Sequence, residues 1–144
     1  MATLGDRVAE VAALKGRIHP AATLSALMAQ NALAQVCPAA FILPLGIGGG
    51  KVDAVTGMYR QEIDRLHGVL LAVRGFNDPT GAAALQQLEP LIEQVIERVV
   101  GFGPEDNRIG GTYRLAKGEL ISLSAGTLTY QLDFAIEDQL RFQR

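Results

Sequence analysis

The sequence predicts an α+β fold in which a mixed, mainly antiparallel sheet is covered by a long helix and preceded by an N-terminal helical region. Two periodicities indicate this class: apolar residues recur at helical spacing between positions 85 and 99, and they alternate with polar residues from positions 58 and 127 onward. A chain of 144 residues has the size of one domain. We therefore expect a single domain over 1–144, with a helical region over 1–37 and an α+β core over 38–144.

The N-terminal region carries signals for two helices. Thr3 is a residue type that caps helices, and Asp6 follows three positions later, where a capping box has its acidic partner. Gly16 predicts the end of this first helical stretch. A second helix is expected from Thr23 to Gln35, and it stops before Pro38 because the residue ahead of a proline disfavours helical geometry.

The next segment predicts a buried strand followed by a flexible loop. The run from Ala39 to Leu45 is apolar throughout, which is typical of a strand buried on both faces, and Pro44 indicates a sheet edge or the end of the strand. Leu45 to Gly57 is predicted to be a flexible loop that only a partner would order, because missing side chains leave little to pack. The glycines of this loop are Gly46, Gly48, Gly49 and Gly50.

A long strand is predicted after the loop. From Met58 polar and apolar residues alternate, and 68–73 is apolar throughout. The pattern allows one long strand, or two strands joined at a bulge near His67 and Gly68. Because the first half of this strand is polar, we expect residues 46–65 to project beyond the core as an arm.

The strongest helix signal lies between Asp78 and Gly101. Asp78 is a favoured N-cap, Pro79 suits the first helical position, and Gly101 suits the position just past the end. Pro90 falls inside the helix and predicts a kink or a restart near Glu89. The stripe expected to cover the sheet comprises Leu85, Leu88, Leu91, Ile92, Val95, Ile96 and Val99.

Three short strands are predicted in the C-terminal part: Thr112 to Leu115, Glu119 to Ser124, and Thr127 to Phe134 or beyond. The dipeptides Lys117-Gly118 and Ala125-Gly126 are the turns expected between them. In the last strand apolar and polar residues alternate, which predicts one buried and one wet face.

Composition and charge exclude several function classes. Thirteen Lys and Arg against fifteen Asp and Glu give a net charge of −2, so the chain lacks the basic surface of a dedicated nucleic-acid binder or of a polybasic membrane contact. Cys37 is the one cysteine, which excludes an internal disulfide and a thiolate metal site. Hydrophobic residues make up 49% of the chain and charged residues only 19%, so we expect some apolar surface to face other subunits.

The residues that could carry chemistry form no catalytic constellation in the sequence. The glycines before Lys51 lack the spacing of a phosphate-binding loop or of a dinucleotide-binding fingerprint. His19 and His67 have no companion at metal-ligand spacing, and neither Cys37 nor any serine stands in a catalytic motif. We therefore expect no catalytic residue, no cofactor and no metal.

An acidic row is predicted on the long helix. Glu89, Glu93 and Glu97 follow one another at a spacing of four residues, and segment 76–107 carries six acidic residues against Arg98, a local balance of −5 (one minus six). The row is either a solvated helix face, or a face turned toward other subunits or toward passing DNA. In the second case the like charges of the row and its neighbour would prevent them from adhering to each other.

The order of these segments resembles that of a known family. The stretches PAAFILPLG, HGVLLAVRGFND and TGAAALQQLEPLIEQVIERVVGFGP, followed by GGTYRLAKGELISLSAGTLTYQLDFAIE, are similar to the tail terminator proteins of long-tailed bacteriophages and of phage-derived particles such as gene transfer agents. The resemblance covers Pro38 to Ile136 and consists of packing and turn patterns rather than catalytic signatures.

The resemblance implies a structural, non-enzymatic role in the virion. Members of this family form a ring, typically a homohexamer, that caps the head-proximal end of the tail tube, stops its polymerisation and joins the tail to the head. The implied partners are other copies of the chain, the major tail tube protein and a head-neck connector protein, with DNA only as passing cargo and with no membrane. Assembly is expected in the cytoplasm of the bacterial host. The alternatives are another head-tail connector or neck subunit, and a small enzyme or ligand-binding α+β domain.

Two sets of residues are the candidates for contact with partners. The loop and arm contribute Gly48, Gly49, Gly50, Lys51, Arg60 and Arg65. The long helix contributes Glu89, Glu93 and Glu97, either as an exposed acidic face or as a face that lines the lumen of a ring.

Overall fold

A five-stranded sheet organises the protein. The computed structural model describes residues 3–55, 57–75, 82–107, 109–124 and 126–144. Its strands lie in the order β1-β2-β3-β5-β4; β1 is parallel to β2 and all other neighbours are antiparallel, which confirms the predicted α+β class. The strands are β1 (Ile18–Pro20), β2 (Ala39–Val55), β3 (Met58–Arg74), β4 (Arg114–Ser124) and β5 (Thr127–Gln143), and the α-helices are α1 (Leu4–Val8), α2 (Ala21–Ala29) and α3 (Ala82–Val99).

The core lies on both faces of one part of the sheet. On one face, α1 and α3 bury apolar side chains against alternate residues of β3 and β5, such as Leu71 and Phe134. On the other face, Phe41 and Leu70 form a smaller cluster, against which the partly buried Leu24 of α2 packs. Since strand side chains alternate between faces, the fully apolar run of β3 supplies both clusters.

The N-terminal cap is confirmed, whereas both predicted N-terminal helices are too long. α1 ends at Val8, and a separate 3₁₀ turn over Ala12–Leu14 precedes Gly16. The Thr3 hydroxyl accepts a hydrogen bond from the backbone N–H of Asp6, and the Asp6 carboxylate accepts one from the N–H of Thr3. α2 ends at Ala29, and a separate 3₁₀ turn follows over Leu33–Val36. Between them Asn31 has a φ of 53°, a left-handed conformation that asparagine tolerates and that interrupts the helix.

Helix α3 matches the predicted long helix in most respects. It ends at Val99, and Gly101 follows with a φ of 85°, as expected of a glycine past a helix end. Pro90 lies within one continuous helix, so the predicted restart near Glu89 is wrong. Proline has no N–H to donate to the carbonyl one turn earlier, and because Pro90 is exposed, water can bind that carbonyl instead. Leu85 is 47% exposed and is wrongly placed in the buried stripe. The predicted start signals, Asp78 and Pro79, lie outside the described residues.

Two of the predicted loops and turns are strand residues instead. β2 continues through the glycines to Val55, so the predicted flexible loop is wrong: β3 pairs with this segment and β-bulges absorb its irregular register. Lys117-Gly118 lies inside β4 beside a bulge rather than at a turn, because both residues pair with β5. A Cβ at Gly118 would come within 2.7 Å of the Tyr130 hydroxyl, which accounts for a glycine inside this strand. Of the two alternatives for β3, one long strand is correct.

Candidate functional site

The arm is a three-stranded extension of the sheet. Residues 46–55 and 58–65 of β2 and β3 form the predicted projection, and residues 136–143 of β5 pair with β3 along its whole length. We use the word arm for these three segments together. Sequence reasoning missed the third strand because its partner residues are more than 70 positions away along the chain, for example Arg65 and Ile136.

The two faces of the arm differ in chemistry. Residues that lie directly opposite one another across antiparallel strands share a face, so the register assigns each side chain to one side of the sheet. The face that continues the α3 side of the core is mostly apolar and includes Ile47, Val52, Tyr59, Ile63, Leu140 and Phe142. The opposite face is mostly charged or polar and includes Asp53, Arg60, Glu62, Asp64, Glu137, Gln139 and Arg141.

The candidate glycines of the arm have different local roles. A Cβ on Gly50 would lie 2.8 Å from the carbonyl oxygen of Glu62, so this position excludes a side chain. A Cβ on Gly48 would meet nothing closer than the Asp64 carbonyl oxygen at 3.9 Å, and one on Gly49 would meet only the end of the flexible Gln61 side chain at 3.1 Å. Gly50 is therefore required by its own subunit, whereas Gly48 is not.

The three candidate cations of the arm are also not equivalent. Lys51 and Arg60 are exposed and lie in the outer part of the arm. Arg65 instead lies at the base of the arm, where its Nε is 2.9 Å from Oδ2 of Asp138, whose side chain is only 11% exposed. The other oxygen of that carboxylate accepts the N–H of Gln139 at 2.8 Å. Arg65 therefore stabilises a largely buried carboxylate and presents less of its charge to a partner than Lys51 does.

A cleft of about 730 Å³ lies where the arm joins the core, on the side of α1. There the Tyr113 hydroxyl lies 3.3 Å from Nδ1 of His67, and the Arg65–Asp138 ion pair forms another part of the wall. Burial lowers the pKa of His67, with a further effect from Arg65, and burial raises the pKa of Tyr113, with a further effect from Asp106. Both shifts favour the neutral form of each group. No local sequence signal could have paired them, because they are 46 positions apart.

The acidic row lies on the outside of α3. Glu89, Glu93 and Glu97 are all exposed, while the residues that face the sheet, such as Leu88 and Val95, are buried. The row is thus separated from the arm cations: it belongs to the covered part of the sheet, whereas Lys51 and Arg60 belong to the uncovered part.

Strand β4 is an exposed apolar edge that sequence reasoning missed. Every residue of this strand is exposed, and it is the last strand on its side of the sheet. Leu115, Leu120 and Leu123 pair with Phe134, Tyr130 and Leu128, which places all three on the α3 side of the sheet. Their side chains are 42%, 53% and 48% exposed, and Ile121 is 50% exposed. The sequence predicted two short strands with a turn at Lys117-Gly118, and this division hid the long apolar edge of β4.

The described ranges contain side chains of the types that bind metals or act as nucleophiles. Within the ranges that the structure describes, no group of three or more His, Cys, Asp or Glu side chains could hold a metal ion. Cys37 is partly buried, and burial raises the pKa of its thiol, which keeps it protonated. None of the described helices is both long and apolar enough to cross a membrane.

Comparison with known proteins gives a family for this fold. The model of the phage tail terminator family, described as "Phage tail terminator protein", matches residues 2–144, which is essentially the whole chain. No curated protein matches the sequence. Because the match extends over all the described elements, from α1 to the arm tip, the chain belongs to the phage tail terminator family and is a structural component of a phage tail.

Proposed function

We propose that this chain forms a ring that caps the head-proximal end of the tail tube, stops its polymerisation and joins the tail to the head-neck proteins. The observation that carries the proposal is the family match over residues 2–144. The ring would be a homo-oligomer, with six subunits as the expected number, and its partners would be the major tail tube protein and a head-neck connector protein.

The surface of the subunit is consistent with ring formation. A closed ring needs two unlike patches that complement each other, because each subunit contacts its two neighbours through different surfaces. The two ends of the sheet provide unlike patches: β4 is an exposed edge with large apolar side chains, and the arm half of β2 is an exposed edge rich in glycine. Both edges would be aggregation hazards in a monomer unless a partner covered them.

The direct test is to image the purified protein by electron microscopy and to measure its mass in solution. Rings with a central hole and a mass near six times 15.3 kDa are expected. In a second assay, the major tail tube protein polymerises with and without this chain, and shorter, capped tubes are expected when the chain is present. Compact monomers that leave tube length unchanged would contradict the proposal.

A connector or neck subunit of similar fold is the second candidate. It would bind the portal side of the neck and would leave the major tail tube protein free. A pull-down with each of the two proteins separates these functions, because a terminator retains the tube protein and a connector does not.

The acidic row has a separate proposed role. Glu89, Glu93 and Glu97 would line the passage for DNA, since like charge keeps a phosphate backbone from adhering to the wall. Replacing all three with Lys should slow DNA passage during packaging and ejection, while Gln replacements should have a smaller effect. If the Lys variant packages and ejects DNA normally, the row does not line the lumen.

A further inference from the structure

We propose that neighbouring subunits join by β-strand pairing: residues 117–123 of β4 in one subunit lie antiparallel to residues 47–53 of β2 in the next. The inference rests on the proposed ring, because a second copy of this chain is the partner. It goes further in naming the two surfaces, their relative direction and their register.

Each subunit has two strand edges that nothing described in the structure covers. On one side of the sheet β4 pairs only with β5, and its other edge is exposed over all eleven residues, from Arg114 to Ser124. On the other side β1 pairs with β2 only at residues 40–42, which leaves the outer edge of 43–55 without a neighbouring strand among the described residues. Unpaired N–H and C=O groups along such edges are templates for another strand.

The strand directions allow the two edges to pair without inverting a subunit. From β2 to β4 the four strands alternate in direction, since each of the three pairings is antiparallel. When the same sheet is repeated around a ring, β4 therefore meets the next β2 in the antiparallel sense. Pairing of the two unlike edges is a heterologous contact, as ring closure requires.

Charge favours one register. If Lys117 lies opposite Asp53, then Leu123 lies opposite Ile47, because the position numbers of opposed residues have a constant sum in an antiparallel pair. Lys117 lies opposite Asp133, which in turn lies opposite Gly68 of β3, and Asp53 lies opposite Arg60 of β3. Gly68 and Arg60 are an even number of positions apart in one strand, so Lys117 and Asp53 are on the same face of the sheet. Leu123 and Ile47 both lie on the opposite, α3 side. The register thus places opposite charges together on one face and two exposed apolar side chains together on the other.

The irregularities of the two strands are neighbours in this register. β4 carries one extra residue between Leu120 and Ser122 relative to β5, and β2 carries one extra residue between Gly49 and Val52 relative to β3. With Lys117 opposite Asp53, the β4 irregularity falls opposite residues 48–50 and overlaps the start of the β2 irregularity. Both segments therefore contain one bulge between their anchor pairs, and the bends of the two edges lie next to each other.

Side-chain size is complementary at the same place. The register places Ile121 opposite Gly49 and Leu120 opposite Gly50, so the two largest exposed side chains at the middle of β4 meet positions without side chains. Ser122 falls opposite Gly48, the glycine that its own subunit does not require. A glycine in a strand commonly marks a place where another backbone approaches closely, and the neighbouring β4 provides that backbone.

A charge-swap experiment tests the pairing. The Lys117→Glu and Asp53→Lys variants of the full-length chain should each weaken association by on the order of tenfold or more, because each places like charges opposite one another across the interface. The double variant Lys117→Glu/Asp53→Lys should recover most of that loss. Inside one subunit the same changes face Asp133 and Arg60, and Lys117→Glu also breaks the Lys117–Glu119 ion pair, so the double variant cannot repair any damage to the monomer. Thermal unfolding of each variant controls for such damage.

Disulfide trapping provides an independent measurement. In a Cys37→Ala background, Leu123→Cys combined with Ile47→Cys should give a ladder of covalent oligomers on mild oxidation. The off-register combination of Leu123→Cys with Val55→Cys should give little. If the wild-type chain forms no oligomer, the proposed ring itself fails. If it forms a ring but the double charge variant is no better than the single variants and the cysteines do not cross-link, the ring stands and this interface is wrong.

Discussion

The sheet has two parts that share three strands and differ in what covers them. Around Phe41, Leu71 and Phe134 the sheet is covered by helices, and these side chains are fully buried. In the arm none of the helices that the structure describes covers the same strands, and Ile47 and Phe142 are 61% and 42% exposed. Continuity of a strand therefore does not require a continuous core: backbone pairing extends the sheet into the arm, whereas side-chain burial reaches only its base, at Ile63 and Ile136, and falls off toward the tip.

The largest loss of stability is expected when an aromatic side chain is removed from the core, and the matched removal from the arm should cost much less. Phe134→Ala should lower the free energy of unfolding by about 3–5 kcal/mol, because it leaves a cavity under α1 and α3. Phe142→Ala, the matched arm variant, should cost less than about 1 kcal/mol in the monomer, since that ring is already partly in water. Urea unfolding followed by circular dichroism measures both. Equal losses would show that the arm contributes as much to the fold as the core.

Glycine substitutions sharpen the comparison within the arm. Gly50→Ala should destabilise the monomer by about 1–3 kcal/mol, because its Cβ would lie 2.8 Å from the Glu62 carbonyl oxygen and force the strands apart. Gly48→Ala is the control and should leave monomer stability nearly unchanged, since its Cβ reaches nothing within 3.4 Å. If both variants unfold at the same urea concentration as the wild type, the arm is too loosely packed for this contact to matter.

Ion pairs at the boundary of the two parts should have smaller effects. Arg65→Ala leaves the largely buried Asp138 carboxylate without this cation and should cost about 1–2 kcal/mol of unfolding free energy. Arg114→Ala removes a pair with Asp64 whose side chains are 51% and 41% exposed, and should cost about 0–1 kcal/mol. The two variants are compared by urea unfolding at one ionic strength. A larger loss for Arg114→Ala would reverse the assignment of Arg65 to a stabilising role.

The smallest expected effect is a pH dependence that originates in the cleft. Burial lowers the pKa of His67 in the folded chain below the ordinary value of 6.5, so the unfolded chain takes up a proton more readily. Protonation of His67 therefore does not reduce stability above pH 6.5. As the pH falls from 6.5 toward the pKa of His67 in the folded chain, the free energy of unfolding decreases. His67→Gln should flatten that part of the stability profile, while His19→Gln controls for the removal of a histidine. An unchanged slope in His67→Gln would assign the dependence to other groups.

Features set by a few neighbouring residues could be predicted from the sequence. The capping box of Thr3 and Asp6, the end of α3 before Gly101 and the strand that begins at Met58 depend on local chemistry, and the structure contains all three. The choice between one long strand and two stayed open in the sequence. Helical and strand periodicity likewise located most of the side chains that bury.

Features set by distant neighbours could not be predicted. The glycines of β2 favour a loop by their own conformational freedom, and only pairing with β3 holds them in a strand. Gly118 is typical of a turn in the sequence, but in the structure it lies in a strand beside Tyr130 of β5, whose hydroxyl leaves no room for a side chain. For the same reason the candidate site was predicted in part: the arm and the acidic row follow from patterns, whereas the third arm strand, the ion pair of Arg65 with Asp138 and the exposed edge of β4 depend on the assembled sheet.

The pairing of β3 with β5 also determines how the subunit would respond to mechanical load. These strands pair at 17 successive positions from Met58 to Arg74 without a register shift, a span of roughly 55 Å that runs from the arm tip to the far end of the core. A pull along the strands loads many hydrogen bonds in shear at once, whereas a pull across them opens the pairs one after another. The subunit should therefore resist tension parallel to β3 far better than peeling forces at its edges.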